Sequence, residues 1–204
     1  MEGFSLAVLA GGRSQRFGSN KALAEIRGQT ILARVLAAGR ELADEVFVVT
    51  NTPEAYPDLG LPLVPDVRAG GGSLRGLHTA LASAHNTWVL CLACDMPFVR
   101  PQLLAHLCEQ AQGTPAPMGG VVPRHAEGHE PFCAVYHRER CLPHLDALLD
   151  ADIYKVIALY ERVAMAFVDE PELRRHDPAL VSFFNVNTPA DLVTAATLAE
   201  RLDG

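Results

Sequence analysis

Short, almost wholly apolar runs separated by stretches of helical periodicity constrain this chain more than any other feature. They lie at residues 6–10, 45–50, 61–64, 88–93, 120–122 and 133–136. Each is too short for a core helix and has no alternation of apolar and polar positions, so it reads as a strand buried on both faces. Helical patterns lie between them at 31–43, 74–84 and 102–112. Strands alternating with helices imply crossover connections, hence an α/β fold whose mostly parallel sheet is covered on both sides.

The order loosens after Gly113. Pro115 and Pro117 break the chain, and two strands come close together around residues 124–131, which predicts an antiparallel excursion. Helices are predicted at 138–150 and 153–161, a strand at 163–168, and a closing helix at 189–202 with Thr188 as its N-cap and Pro189 at its first position. No repeat, low-complexity segment or linker divides the 204 residues, so residues 1–204 are expected to form one domain with a sizeable core.

The first apolar run leads into Leu9-Ala10-Gly11-Gly12-Arg13-Ser14-Gln15-Arg16-Phe17-Gly18-Ser19-Asn20-Lys21. Glycines let a backbone approach a ligand closely, and loop N–H groups can then face phosphate oxygens. Arg13, Arg16 and Lys21 surround that loop with positive charge, which suits a polyphosphate. The loop is not a P-loop, because Lys21 is followed by Ala22 and has no glycine before it. Nor is it a dinucleotide fingerprint, because Gly11 and Gly12 are adjacent.

Composition narrows the classes further. Lys and Arg total 17 against 24 Asp and Glu, a net charge of -7, which disfavours nucleic acid as a partner. Local cations on an acidic background favour a small, focused anion. No apolar run approaches the roughly 20 residues that span a membrane, and no basic and apolar leader opens the chain. A cytoplasmic location is expected. Cys91 and Cys94 have C-x-x-C spacing, but positions three apart on a strand face opposite ways, so they read as core residues. His125 and His129 lie four apart in a stretch containing Gly128, which reads as a loop and not as a metal-binding helix.

Five motifs in order give the chain a family likeness. The opening loop matches Leu-Ala-Gly-Gly-x-Ser-x-Arg-x-Gly-x-x-Lys at every fixed position. Asp66 follows, before the glycine-rich segment 70–76. Then come Cys94-Asp95-Met96-Pro97-Phe98, Glu130-Pro131 and Asn185-Val186-Asn187-Thr188-Pro189. Together they resemble the molybdenum cofactor guanylyltransferase (MobA) family, over nearly the whole chain. The resemblance implies a three-layer α/β/α, Rossmann-like sheet of the nucleotide-diphospho-sugar-transferase type. It also implies transfer of GMP from GTP to molybdopterin with release of pyrophosphate.

By the same resemblance, Leu9, Ala10, Gly11, Gly12, Arg16, Lys21, Asn51, Asp66 and Asp95 bind GTP. Arg16, Lys21 and Asp95 are the expected catalytic set, with the two cations on the triphosphate. Asp95 is the expected ligand of a Mg²⁺ ion, and Asn187 a weaker second ligand or a support for Asp95. Asp191 reads as a first-turn helix acid, and Glu130 is placed near the second substrate. GTP and molybdopterin are the implied small-molecule partners. Proteins that deliver or accept the molybdenum cofactor are further ones, with no nucleic acid and no membrane.

One segment departs from the family pattern Gly-Pro-Leu-x-Gly. Here it reads Gly72-Ser73-Leu74-Arg75-Gly76, so serine replaces proline and an arginine enters. Ser73 is expected to cap the following helix. The change leaves a cytidylyltransferase, or another nucleotidyltransferase of the same fold, as an alternative, although Leu9-Ala10-Gly11-Gly12 stands where the cytidyl branch carries Leu-Ala-Ala-Gly. A non-catalytic nucleotide-binding protein is the alternative from another class. Binding alone does not require the carboxylate Asp95 beside Arg16 and Lys21.

Overall fold

The computed structural model describes residues 3–11, 17, 20–68, 72–114 and 117–202. Gly12, Arg13, Arg16 and Gly70, named above, lie outside the described residues.

Strand β1 (Phe4–Leu9) opens the chain. A two-residue antiparallel pair, β2 (Glu25–Ile26) and β3 (Gln29–Thr30), precedes α1 (Ile31–Gly39). The chain then runs through β4 (Glu45–Val49), β5 (Leu63–Val64), α2 (Ser73–Ser83), β6 (Trp88–Ala93) and α3 (Pro101–Gly113). The second half contains β7 (Gly120–His125), β8 (Gly128–His129), β9 (Cys133–His137), α4 (Arg138–Asp150), β10 (Ala166–Asp169), α5 (Glu170–His176) and α6 (Pro189–Leu202).

The main sheet has the order β10-β7-β9-β6-β1-β4-β5, with β8 hydrogen-bonded to β7. Strand β1 lies parallel to both β4 and β6, and β4 is parallel to β5. Strand β9 is antiparallel to β6 and β7, and β7 with β8 forms the expected antiparallel excursion. The chain leaves β1 toward β4 and β5, then returns to the other side of β1 at β6. That reversal opens a crevice beyond the carboxyl ends of β1 and β6, the usual ligand position in open α/β sheets.

Alternate residues of each buried strand enter opposite cores. Leu6 and Val8 pack with Leu32 and Val35 of α1, Leu103 and Leu107 of α3, and Ala195 of α6. Ala7 enters the other layer with Leu77 and Leu81 of α2 and Leu145 of α4. Cys91 and Cys94 separate in the same way, one into each core, and all five cysteines are buried thiols. Gly39 lets α1 pack close to the sheet; a Cβ there would come within 3.1 Å of Leu6 Cδ2.

Some predicted boundaries move for identifiable reasons. Pro62 has no N–H, so the ladder of β5 begins at Leu63, although the Pro62 carbonyl still accepts from Val48 N. The predicted helix 31–43 is α1 followed by a 3₁₀ turn at Arg40–Leu42. The predicted α-helix at 153–161 is instead a 3₁₀ segment, Val156–Glu161, whose two buried residues, Val156 and Leu159, are three apart. That spacing suits three residues per turn. The strand predicted at 163–168 is β10. Among the described residues, no helix is long and apolar enough to cross a membrane.

Candidate active site

Three backbone hydrogen bonds extend the sheet just past its carboxyl edge. Ala10 N donates to Val49 O at 2.9 Å, Thr50 N to Val64 O at 2.8 Å, and Cys94 N to Leu9 O at 3.1 Å. Ala10, Thr50 and Cys94 therefore stand abreast, and all three, with Gly11 and Asp95, line one cavity of about 210 Å³. Leu9, Ala10, Gly11, Lys21, Asp66 and Asp95 line it, from four separate segments. Asn51 reaches the same place through Asp66. The sequence-predicted nucleotide residues that the structure describes are thus brought together.

Lys21 occupies one end. It begins a 3₁₀ turn capped by Asn20, whose side-chain oxygen accepts from Ala22 N at 3.1 Å, while Asn20 Nδ2 donates to Tyr56 Oη at 2.9 Å. Neither Asn20 nor Tyr56 was singled out from the sequence. The turn directs the Lys21 ammonium to Asp95 Oδ2 at 2.5 Å and Asn187 Oδ1 at 3.1 Å. Both Lys21 and Asp95 side chains are largely buried, at 18% and 17% exposure, so solvent screens this pair only weakly. Asn187 meets the lysine and not Asp95.

The loop carrying Asn187 is held from two directions. Val186 N donates to the carbonyl of Asp95 at 2.9 Å. Asp191 Oδ2 accepts from Asn187 N at 2.9 Å and Thr188 N at 2.8 Å, while Thr188 Oγ1 accepts from Asp191 N at 3.2 Å. This reciprocal cap starts α6. The Asn187 N–H, followed by the Thr188 contacts, holds the Asp191 carboxyl below its ordinary pKa. Asp191 is therefore more than a first-turn acid, because it fixes the Asn187 loop.

The residues fit a hard divalent cation. Asp95 Oδ1 is buried and has no hydrogen-bond partner among the described residues. A carboxylate oxygen lacking a donor, beside an amide oxygen, offers the oxygen chemistry that Mg²⁺ prefers. The Lys21 ammonium already bridges the two side chains. Among the described residues, no cluster of three or more His, Cys, Asp or Glu offers another metal centre. His125 instead pairs with Glu130 at 2.9 Å and stacks on Phe183, whereas His129 packs on Tyr160 and Phe167.

Asp66 anchors the other end. Its Oδ2 accepts from Asn51 Nδ2 at 2.6 Å and pairs with Arg75 Nη2 at 2.8 Å. Its Oδ1 accepts from Thr79 Oγ1 at 3.3 Å, and its own N–H donates to Asn51 Oδ1 at 2.9 Å. Arg75 and Thr79 lie one helical turn apart on α2. Sequence reasoning noticed the charge of Arg75 but not its partner, and it missed Thr79. Ser73 does not cap α2. Gly72 holds that position at φ +92°, Ser73 is the first helical residue, and its hydroxyl lies 3.5 Å from Tyr154 O. The glycine is required there, because an added Cβ would clash with Tyr154.

Glu130 lies close enough to Asp95 to feel its charge. Burial pushes its carboxyl pKa up, His125 counters that, and the negative charges of Glu127 and Asp95 add to the rise. Burial also drives the Cys94 thiol to about 12, so no thiolate operates beside Asp95 near neutrality.

Residues 6–165 match the MobA-like NTP transferase domain family. A protein of Pelotomaculum thermopropionicum named "Probable molybdenum cofactor guanylyltransferase" is 42% identical, covering 95% of this chain and 92% of its own. The "Molybdenum cofactor guanylyltransferase" of Desulfosudis oleivorans is 36% identical, covering 96% and 95%. The crystal structure of molybdopterin-guanine dinucleotide biosynthesis protein A from Archaeoglobus fulgidus superposes with a TM-score of 0.83 at 29% identity, covering 97% of this chain and 99% of that one. A Thermus thermophilus 2-C-methyl-D-erythritol 4-phosphate cytidylyltransferase, 23% identical with a TM-score of 0.69, shares the fold. The three-layer architecture, the family match across most of the chain and the extent of identity lead to one conclusion: this chain belongs to the MobA-like NTP transferase family and is a nucleotidyltransferase.

Proposed function

We propose that this chain transfers GMP from GTP to molybdopterin, forming the guanine dinucleotide of the molybdenum cofactor and releasing pyrophosphate. What carries the reading is the convergence of Gly11, Lys21, Asp66 and Asp95 on one cavity, in a chain whose relatives bear the guanylyltransferase name. The cytidyl alternative is not favoured by those names.

In this reaction a terminal phosphate oxygen of molybdopterin bonds to the α-phosphorus of GTP. The bond from that phosphorus to the bridging oxygen breaks, and its electron pair leaves with pyrophosphate. A phosphomonoester has a second pKa of about 6. The nucleophile is therefore largely ionised at neutral pH, and no strong general base is needed. Alignment and charge neutralisation supply the catalysis.

Gly11 lets the backbone approach the nucleotide, and Leu9 and Ala10 form the floor of the cavity beside it. Lys21 turns its ammonium to the triphosphate and, with Arg16, balances charge building on the leaving group. Asp95, with Asn187, would hold Mg²⁺. When bound, that ion neutralises phosphate charge and withdraws electron density from the α-phosphorus. Asn51 and Asp66 hold the base. Molybdopterin enters on the side of Glu130 and Phe132, beside Asp95.

Thermal unfolding with each of four nucleoside triphosphates and Mg²⁺ tests the assignment. GTP at about 100 times its Kd should add about 2.7 kcal/mol. Greater stabilisation by CTP than by GTP would reject the guanylyl reading.

A further inference from the structure

We propose that Arg75 selects guanine in this chain, by donating hydrogen bonds to O6 of the base while Asp66 accepts from the neighbouring nitrogens. The inference rests on the guanylyl reading and adds a specificity residue at a position the family motif leaves variable.

A carboxylate offers about four lone-pair sites. Asn51 fills one site on Asp66 Oδ2, where Arg75 also makes its ion pair, and Thr79 takes one on Oδ1. One acceptor site is left on Oδ1. Arg75 shows the opposite imbalance. One nitrogen meets Asp66, while Nε is buried and has no hydrogen-bond partner among the described residues. An orphaned buried N–H is costly, so it marks a place where an acceptor belongs. Both side chains line the cavity.

A base edge that satisfies both groups has an acceptor facing Arg75 and a donor facing Asp66. Guanine presents O6 as acceptor, with N1–H and the N2 amine beside it. Adenine and cytosine present an amine where guanine has O6, and would set donor against donor. A polar site of this kind discriminates strongly, because the wrong ligand leaves buried groups unpaired. The competing explanation is that Arg75 only neutralises Asp66. It accounts for the ion pair but leaves the orphaned Nε unexplained.

Calorimetric titrations with GTP, 6-thio-GTP and ITP, each with Mg²⁺, separate these roles in the wild type, Arg75→Met and Arg75→Gln. Sulfur is a poor acceptor, so 6-thio-GTP weakens only the O6 contact, whereas ITP lacks only the N2 amine. Arg75→Met should weaken GTP roughly 10- to 100-fold but 6-thio-GTP less than about threefold. The penalty for ITP relative to GTP should remain in the variant. Arg75→Gln keeps a donor that can reach Asp66 and should fall between the two, which preserves the test if the methionine variant does not fold. Equal loss for GTP and 6-thio-GTP, or no loss for either, would overturn the proposal. A wild-type preference for CTP would instead overturn the guanylyl reading on which it rests.

Discussion

The two ends of the cavity carry opposite imbalances. At the Lys21 end the orphan is an acceptor, Asp95 Oδ1; at the Asp66 end it is a donor, Arg75 Nε. The first calls for a cation and the second for an oxygen. Each end also holds its own ion pair, Lys21 with Asp95 at 2.5 Å and Arg75 with Asp66 at 2.8 Å. Such pairs keep charged groups ordered without consuming all their bonding capacity. On the proposed function, the contrast gives a bound nucleotide a direction, with phosphates at one end and the base at the other.

The largest expected effect comes from removing the acceptor at the phosphate end. Asp95→Asn keeps shape and hydrogen bonding but loses the charge proposed to hold the cation. Turnover, measured as pyrophosphate release, should fall by about 10²-fold or more, with partial rescue at raised Mg²⁺. Folding should survive, because the side chain lies at a strand edge facing the cavity. Normal turnover with normal Mg²⁺ dependence would sink the assignment of Asp95 and direct attention to Asp66 or Asp191.

Lys21→Ala strikes the same end from the other side. Loss of a charge-assisted contact costs roughly 1.5–3 kcal/mol, a fall of about 10- to 150-fold in turnover at subsaturating GTP. Lys21 also neutralises Asp95, so its removal should tighten Mn²⁺ binding in the absence of nucleotide, read by electron paramagnetic resonance. If nucleotide use and metal affinity both stay unchanged, the lysine contributes nothing beyond the loop.

The contrast between the two ends was only half legible in the sequence. Lys21, Asp95 and Asn187 occupy fixed motif positions, so the resemblance found them although they lie far apart in the chain. Arg75 occupies a variable motif position, and its meaning depends on a partner nine residues earlier in the chain. The same division holds for the fold. Trp88–Ala93 announces itself by apolar content, and Arg138–Asp150 by the helical spacing of Cys141, Leu145, Leu148 and Leu149. Helix α5 does not, because Leu173 is its only buried residue. Its readable signals were electrical: Glu170 and Glu172 in the first turn, and Arg174, Arg175 and His176 in the last. Periodicity alone also cannot separate Val156–Glu161 from an α-helix, because two buried residues three apart satisfy both geometries.

Gly72 tests the base end. At φ +92°, with Tyr154 against its α-carbon, Gly72→Ala introduces both strain and a clash. A loss of about 1–3 kcal/mol in denaturant unfolding is expected. GTP affinity should fall as well, because α2 carries Arg75 and Thr79 to Asp66. An alanine variant with wild-type stability would show that the start of α2 is not fixed by this contact.

The smallest effect expected is the most specific to how the phosphate end is built. Asp191 fixes the Asn187 loop through two backbone N–H groups, and those bonds hold its pKa below the ordinary value. For a carboxyl lowered in the folded state, the stabilisation is fully present above the unfolded pKa, about 3.9. It disappears as pH falls through the folded value. Asp191→Asn cannot ionise, so it should be less stable than the wild type at neutral pH, and the difference should shrink as acid titrates Asp191 in the wild type. The side chain is solvent-facing, so the change in stability is small. The informative reading is therefore the pH dependence of the difference, followed by urea unfolding from pH 7 to pH 3. A difference independent of pH would mean that Asp191 acts through shape alone. A normal pH dependence with normal GTP turnover would mean that the position of Asn187, and its contact with Lys21, does not depend on the cap of α6.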